Sequence, residues 1–533
     1  MYTHCKRTLG PVSKEKYRIR WWIQMSRTKE RKLRRQREEE EKHREQIHAG
    51  LRYEKFEERC KKPALPNRVN MAESSEEELE DRQDTVERAT IVYRQMLPSL
   101  LNKLSRIKDP RNPNQIAHKM TVLLLYGMLM FVCQTGSRRE TNRTMSYTLF
   151  ENLKVMFPEL ETLPHADTLA RLLEVIDVSE IQECMVELLK DLIKRKKFKN
   201  YLLKKGYLIA IDGTQKFYRN YQWDEKCLER NVGKEETKTV QYYVYVLESV
   251  LILSNGITLP LYSLFLDNED WIKGETKQDC EQKAFYRLAK KIKKLFRNSR
   301  ITIVVDGLYA CGPVIKACLK NKWNYMIVLK EDCLKTVWEE AKGLMKLEPE
   351  NSLHVKWGDR DQKYQWANDV EYEFNDGNKT RELMLHVVTC HETWLETHNR
   401  STGKVEQKET RYAWLSSQPL TERNVFERCT KIGRYRWKIE NNILAEKHHG
   451  YNYEHCYSYN WNAMEGYHYL MKIGRLLNVL AANSELLAEK VETLGIRGFI
   501  KFLKMACSGS VLDADRIREA VNRKRQWRLI LIA

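Results

Sequence analysis

The chain has 533 residues, 42% hydrophobic and 31% charged, with 93 Lys plus Arg against 73 Asp plus Glu, a formal charge of +20. That length implies two to four domains rather than one core, and the excess of cations favours a polyanionic partner. Three further features exclude classes of protein: the longest apolar run, Met120 to Cys133, is too short to cross a bilayer, the N-terminal residues hold no apolar signal-peptide core, and the 13 cysteines lack zinc-finger spacing.

Taken in chain order, residues 1–84 read as a basic, highly charged arm and linker, with Arg/Lys clusters alternating with Glu from Arg27 to Arg59 and an acidic patch from Glu73 to Asp81. Residues 85–205 read as a helical domain, which suits a DNA-binding domain and equally a plain helical bundle with a charged face. Val92, Met96, Leu100 and Leu104 repeat at helical spacing, and the turn at Gly136 carries Arg138, Arg139 and Arg143, the best candidates there for DNA contact. His165-Ala-Asp-Thr opens a further helix, with Asp167 or Thr168 as the expected cap.

From Gly206 the periodicity changes to that of strands. Tyr207-Leu-Ile-Ala-Ile-Asp-Gly and, about ninety residues later, Ile301-Thr-Ile-Val-Val-Asp-Gly are apolar runs that each stop on an acid followed by glycine. Both read as buried strands ending in a sharp turn, with Asp212 and Asp306 at the rim of one sheet. Between them lie strands over 241–248 and 250–253, an Asn255-Gly256 turn, a strand over 257–266 and a helix over 278–296. A helix over 313–320 and a strand over 325–329 follow. Three strands, helix, strand, helix, strand is the order of an α/β, ribonuclease-H-like mixed sheet, which assigns 206–334 to the first part of a catalytic domain. Residues 335–418 read as a β-rich insertion, 419–485 as the second part of the catalytic domain, and 486–533 as a helical tail.

On the helix around Arg434-Tyr-Arg-Trp-Lys-Ile-Glu440, spacing places Arg436, Glu440 and Lys447 on one face. An i,i+4 surface pair would account for Arg436 and Glu440 alone. Following a sheet with two rim aspartates, a site with metal on one side and phosphates along it is the stronger reading. Glu248 and Asp267 read as solvated strand-end acids, and Asp279 or Glu281 as a supporting acid, although a helix N-terminus attracts acids in any case.

These residues resemble DDE transposases of bacterial insertion sequences, in the branch whose ribonuclease-H-like domain is interrupted by a β-rich insertion. That branch carries Tyr, Arg, Glu and Lys at fixed spacing; Arg436, Glu440 and Lys447 match the last three positions, Trp437 and Ile439 fit the context, and Gly433 stands where the tyrosine is expected. The resemblance covers about 95–480. It implies that Asp212, Asp306 and Glu440 are catalytic and hold two Mg²⁺ ions about 4 Å apart, with Mn²⁺ as a substitute. Arg436, Lys447 and Trp437 would contact DNA.

The activity implied is cleavage at the ends of the element and joining of 3′-hydroxyls to target DNA. The partner would be double-stranded DNA, with a dimer when two ends are synapsed and no membrane, in the cytoplasm at the nucleoid. Relatives with this insertion stack a flipped base on an insertion tryptophan, which makes Trp338, Trp357, Trp366, Trp394 and Trp414 candidates. The rival is a catalytically silent, transposase-derived DNA-binding protein.

Overall fold

The computed structural model describes residue 34 and residues 72–234, 238–268, 278–397, 405–523 and 527–530. The basic arm read from residues 1–71 lies outside them, apart from Arg34. Among the described residues the fold is α/β, with fourteen α-helices and a mixed sheet of ten strands. The described residues divide into two units, one holding His354–Lys363 and His391–Arg411 and the other Leu353 and the described residues before it from 72 on, Tyr364–Cys390 and the described residues from Tyr412 on. In the first, Arg360 pairs with the buried Glu392, which also accepts from Gln362 Nε2 at 2.7 Å, and the Arg360 guanidinium lies 4.3 Å from the Trp394 ring. The second unit holds the fourteen helices and most of the sheet.

Its helical layer begins with α1 (Ser75–Arg94) and α2 (Leu97–Leu104). The acid-rich stretch read as a linker therefore opens a helix. Ser74 caps it by accepting from the Glu77 backbone, and Glu76, Glu77 and Glu78 sit in the first turn, where the helix dipole favours negative charge. Helix α3 (Met120–Val132) is buried almost throughout, as its unbroken apolar sequence demands. The short helix α4 (Arg138–Thr144) follows the Gly136 turn, whose φ of +86° suits glycine. Next come α5 (Tyr147–Met156), α6 (Ala166–Val175) and α7 (Ser179–Lys194). The cap of α6 is His165, whose Nδ1 accepts from the Asp167 amide, and not Asp167 or Thr168.

The sheet runs β2 (Leu228–Val232), β3 (Thr239–Ile252), β1 (Tyr207–Arg219), β5 (Ile301–Val305), β6 (Asn324–Val328), with β4 (Thr258–Leu266) also paired to β3. Strand β3 runs antiparallel to both β1 and β4, whereas β5 and β6 run parallel to β1. The stretches read as separate strands over 241–248 and 250–253 are one strand, β3, and β2 is a strand that the sequence reading did not supply. The sheet continues beyond β6 through β10 (Val405–Ser416), β9 (Lys379–Thr397), β8 (Arg360–Asp376) and β7 (Ser352–Trp357).

Side-chain alternation along β1 divides the core. Leu208 and Ala210 join Val250, Val304 and Met326 under Ile439 and Ile443 of α11 (Trp437–His448). Ile209 and Ile211 face the other way, with Ala284, Phe285 and Leu288 of α8 (Glu281–Phe296). Helix α9 (Gly312–Lys320) connects β5 to β6, and α10 (Lys335–Leu347) follows β6. The long buried helix α12 (Trp461–Ala482) packs closely on α3, where a Cβ on Gly127 would stand 2.7 Å from Leu470. Helices α13 (Ala488–Ser508) and α14 (Ala514–Asn522) close the described chain.

Candidate active site

Asp212 lies inside β1 and not at its end. The strand continues to Arg219 because Gly213 pairs with Leu247 and keeps the ladder intact, so the Asp-Gly dipeptide makes no turn. The glycine serves another purpose. A Cβ at Gly213 would stand 2.5 Å from the carboxyl carbon of Glu281 and 2.6 Å from the Tyr245 ring, so only glycine lets α8 come this close. Asp306 does follow the end of its strand, where its carboxylate caps a short 3-10 turn by accepting from the Leu308 amide at 2.9 Å. Glu440 occupies the first turn of α11.

The electrostatics tie the three acids together. Asp212 is mostly buried, and burial pushes its carboxyl up to about 6. Arg436 opposes the rise, while the charges of Glu440, Asp306 and Glu281 add to it. Arg436 Nη1 stands 3.8 Å from Asp212 Oδ2, and Nη2 lies 2.5 Å from Glu440 Oε1. The guanidinium is itself buried, and its Nε hydrogen finds no acceptor among the described residues. Lys330 Nζ is 3.5 Å from Asp306 Oδ2. Each acid therefore leans on a cation of the protein, and among the described residues no three His, Cys, Asp or Glu side chains form a ready cage for a metal ion.

The remaining predicted residues fall into three groups. Lys447 reaches the Gln215 carbonyl of β1 at 3.4 Å and pairs with Glu454 at 2.8 Å, one turn or more below Glu440. Trp437 packs edge-on against Tyr412, with the Arg436 guanidinium 5.4 Å from its ring. Arg139 and Arg143 are exposed on α4, while Arg138 is half-buried and stands 3.7 Å from Asp167. The Gly136 carbonyl at the start of that turn accepts from Asn452 and Tyr457, in the segment that follows α11. Of the candidate tryptophans, Trp338, Trp366 and Trp414 are core residues, and Trp357 is exposed.

The structure shows what surrounds Gly433, the position where the resemblance leads one to expect a tyrosine. Gly433 is buried against Trp414, and a Cβ there would stand 2.9 Å from the indole Nε1. Tyr435 points elsewhere, donating to the Ser254 carbonyl at 3.0 Å.

Glu248 corrects the sequence reading outright. It is in mid-strand on β3, directly opposite Asp212, and 1% exposed. Burial alone would raise its carboxyl, but Lys472 at 3.0 Å, His468 at 3.3 Å and the Ser263 hydroxyl at 2.7 Å outweigh it and hold the group far below the usual range. Tyr453 adds a fourth contact at 2.7 Å. Lys472 also binds the buried Glu446 at 2.6 Å, and Lys216, bulged inward from β1, donates to the Tyr453 carbonyl. No local signal marks this network, because its members come from β1, β3, β4, α11, α12 and the segment after α11.

Residues 101–189, which run from α2 into α7 and include Arg138, Arg139 and Arg143, match the family described as DDE_Tnp_1-associated. No curated protein matches the chain. Among the described residues no helix is long and apolar enough to cross a membrane. The family match points to a transposase-family protein.

Proposed function

We propose that this chain is a metal-dependent DDE transposase, which cleaves phosphodiester bonds at the ends of its element and joins the freed 3′-hydroxyls to target DNA. The reading is supported by Arg436, which stands beside both Asp212 and Glu440, and by the charges of Glu440 and Asp306, both of which act on Asp212 although they are distant from it in sequence. The strand order β4-β3-β1-β5-β6, with β3 antiparallel to both its neighbours and the last two parallel to β1, supports a ribonuclease-H-like core.

The donor set suits hard divalent cations. It offers carboxylate oxygens only, and at Asp212, whose carboxyl burial raises, Arg436 opposes the charges of Glu440, Asp306 and Glu281. Asp212, Asp306 and Glu440 would hold Mg²⁺, which supplies activation of the attacking hydroxyl and stabilisation of the leaving oxygen. Arg436 would exchange its hold on Glu440 for the scissile strand, its fork matching a phosphate. Lys447, anchored on β1 by the Gln215 carbonyl, would meet the same backbone as a point charge. Exposed Arg139 and Arg143 would extend the contact to duplex flanking the cut.

The test uses plasmid DNA carrying the sequences that bracket this reading frame. Wild-type protein with Mg²⁺ is expected to nick at the element's ends and yield products joined covalently to target, whereas Asp306→Ala binds the ends and cuts nothing. Wild-type protein that binds but never cuts, with Mg²⁺ or Mn²⁺, would establish the silent DNA-binding protein instead.

A further inference from the structure

Helix α8 begins at Glu281, and the acid there has an ordinary explanation: negative charge is favoured in the first turn of any helix. Its neighbour Asp279 behaves in that ordinary way, pairing with Arg287 of the same segment. Glu281 does not. Its Oε1 accepts from the Tyr245 hydroxyl at 2.6 Å and its Oε2 from the Tyr309 hydroxyl at 2.9 Å. Tyr245 belongs to β3, and Tyr309 lies three residues beyond Asp306 on the turn that Asp306 caps. Two phenols from separate elements thus fix both oxygens of one carboxylate.

The place where it is fixed is equally specific. The carboxyl group rests on the Cα of Gly213, where any side chain would collide with it. Gly213 in turn donates its amide to Asp212 Oδ1 at 3.1 Å. Because alternate residues of a strand face opposite ways, Glu281 approaches from the α8 layer, while Asp212 faces the layer of α11 and Glu440. Its charge nonetheless registers at Asp212 together with those of Glu440 and Asp306.

We infer that Glu281 is a positioning residue of the metal site: a fourth carboxylate, pinned by Tyr245 and Tyr309 behind Gly213, whose fixed negative charge strengthens the hold of Asp212 and Asp306 on divalent cations. The inference rests on the metal-dependent reading above. It assigns Glu281 no contact with substrate. It also gives the two tyrosine hydroxyls a role beyond the packing of their rings in the core, and gives Gly213 the role of admitting the carboxylate.

The test is titration of the full chain with Mn²⁺, followed by calorimetry at low and high salt, with thermal melting as the check on folding. Glu281→Gln keeps the shape and removes the charge. It is expected to weaken Mn²⁺ binding roughly tenfold at low salt, the scale of one unit charge acting from a partly buried position, and less at high salt. The double variant Tyr245→Phe with Tyr309→Phe keeps the charge but releases its aim, and is expected to weaken binding by a smaller factor; this variant decides the matter if Glu281→Gln fails to fold. Affinity within twofold of wild type in the folded variant, while Asp212→Asn abolishes binding, would overturn the role of Glu281 and leave the metal site standing. Binding undiminished in Asp212→Asn as well would overturn the metal-dependent reading itself.

Discussion

Asp212 and Glu248 face each other across β1 and β3, on the same face of the same sheet. One carboxyl is pushed up to about 6 and the other held far below the ordinary range. The difference lies in their company. Glu248 has Lys472, which it shares with Glu446, at 3.0 Å, His468 at 3.3 Å, and the Ser263 and Tyr453 hydroxyls donating at 2.7 Å. Asp212 has one guanidinium at 3.8 Å, shared with Glu440, and three further carboxylates in range. A buried carboxylate held closely by a cation and two hydroxyls is structural, whereas on the proposed reading one whose nearest guanidinium stands at 3.8 Å takes a cation from outside.

The largest effect that follows concerns the paired acid. Lys472→Met or Glu248→Gln leaves its partner charged and buried, and should destabilise the fold by about 3–5 kcal/mol in chemical denaturation. Asp212→Asn should act in the opposite direction. Its folded carboxyl titrates near 6 instead of near 3.8, so ionisation costs folding free energy as pH rises from about 4 to 6, and the cost stays constant above that. The variant should therefore gain on the order of 1–3 kcal/mol at pH 7 and nothing below pH 4. Equal loss of stability in both variants would erase the distinction.

Acid titration separates the two regions a second time. His468 is held neutral by burial, down to about 3 from an ordinary 6.5. The unfolded chain takes up that proton first, so the network's contribution is complete above pH 6.5 and declines as pH falls toward 3, with Glu248 adding to the decline below about 4.5. A melting temperature that is flat between pH 7 and 4 would contradict this.

Two lysines supply a gentler comparison. Lys447 pairs with the exposed Glu454 and Lys472 with buried acids. Lys447→Ala should cost about 0–1 kcal/mol of stability, yet weaken binding to DNA ends and lower the slope of log affinity against log salt by about one. Arg139→Ala and Arg143→Ala should each lower that slope similarly, without affecting the melt.

Much of this was legible in the sequence, and what was not has a common cause. The β-branched run before Asp306 and the Asn255-Gly256 turn are local signals, and the structure follows them: β5 stops at Val305, and Gly256 takes a φ of +81°. Asp212-Gly213 carries the same local signal but forms no turn, because pairing with β3 and the approach of Glu281 override it. Glu248 looked solvated because its partners lie up to 224 positions away, at Lys472, and nothing in its neighbourhood announces them. The surroundings of Gly433 became visible only in the structure, where Trp414 stands against it.

Titration of the purified chain with Mn²⁺, comparing wild type, Asp212→Asn and Glu248→Gln, tests most directly whether one of two facing acids is kept for a cation. Wild type and any folded Glu248→Gln should bind with similar affinity, and Asp212→Asn should not bind. Retained binding in Asp212→Asn, or binding lost in a folded Glu248→Gln alone, would contradict the assignment of the two acids.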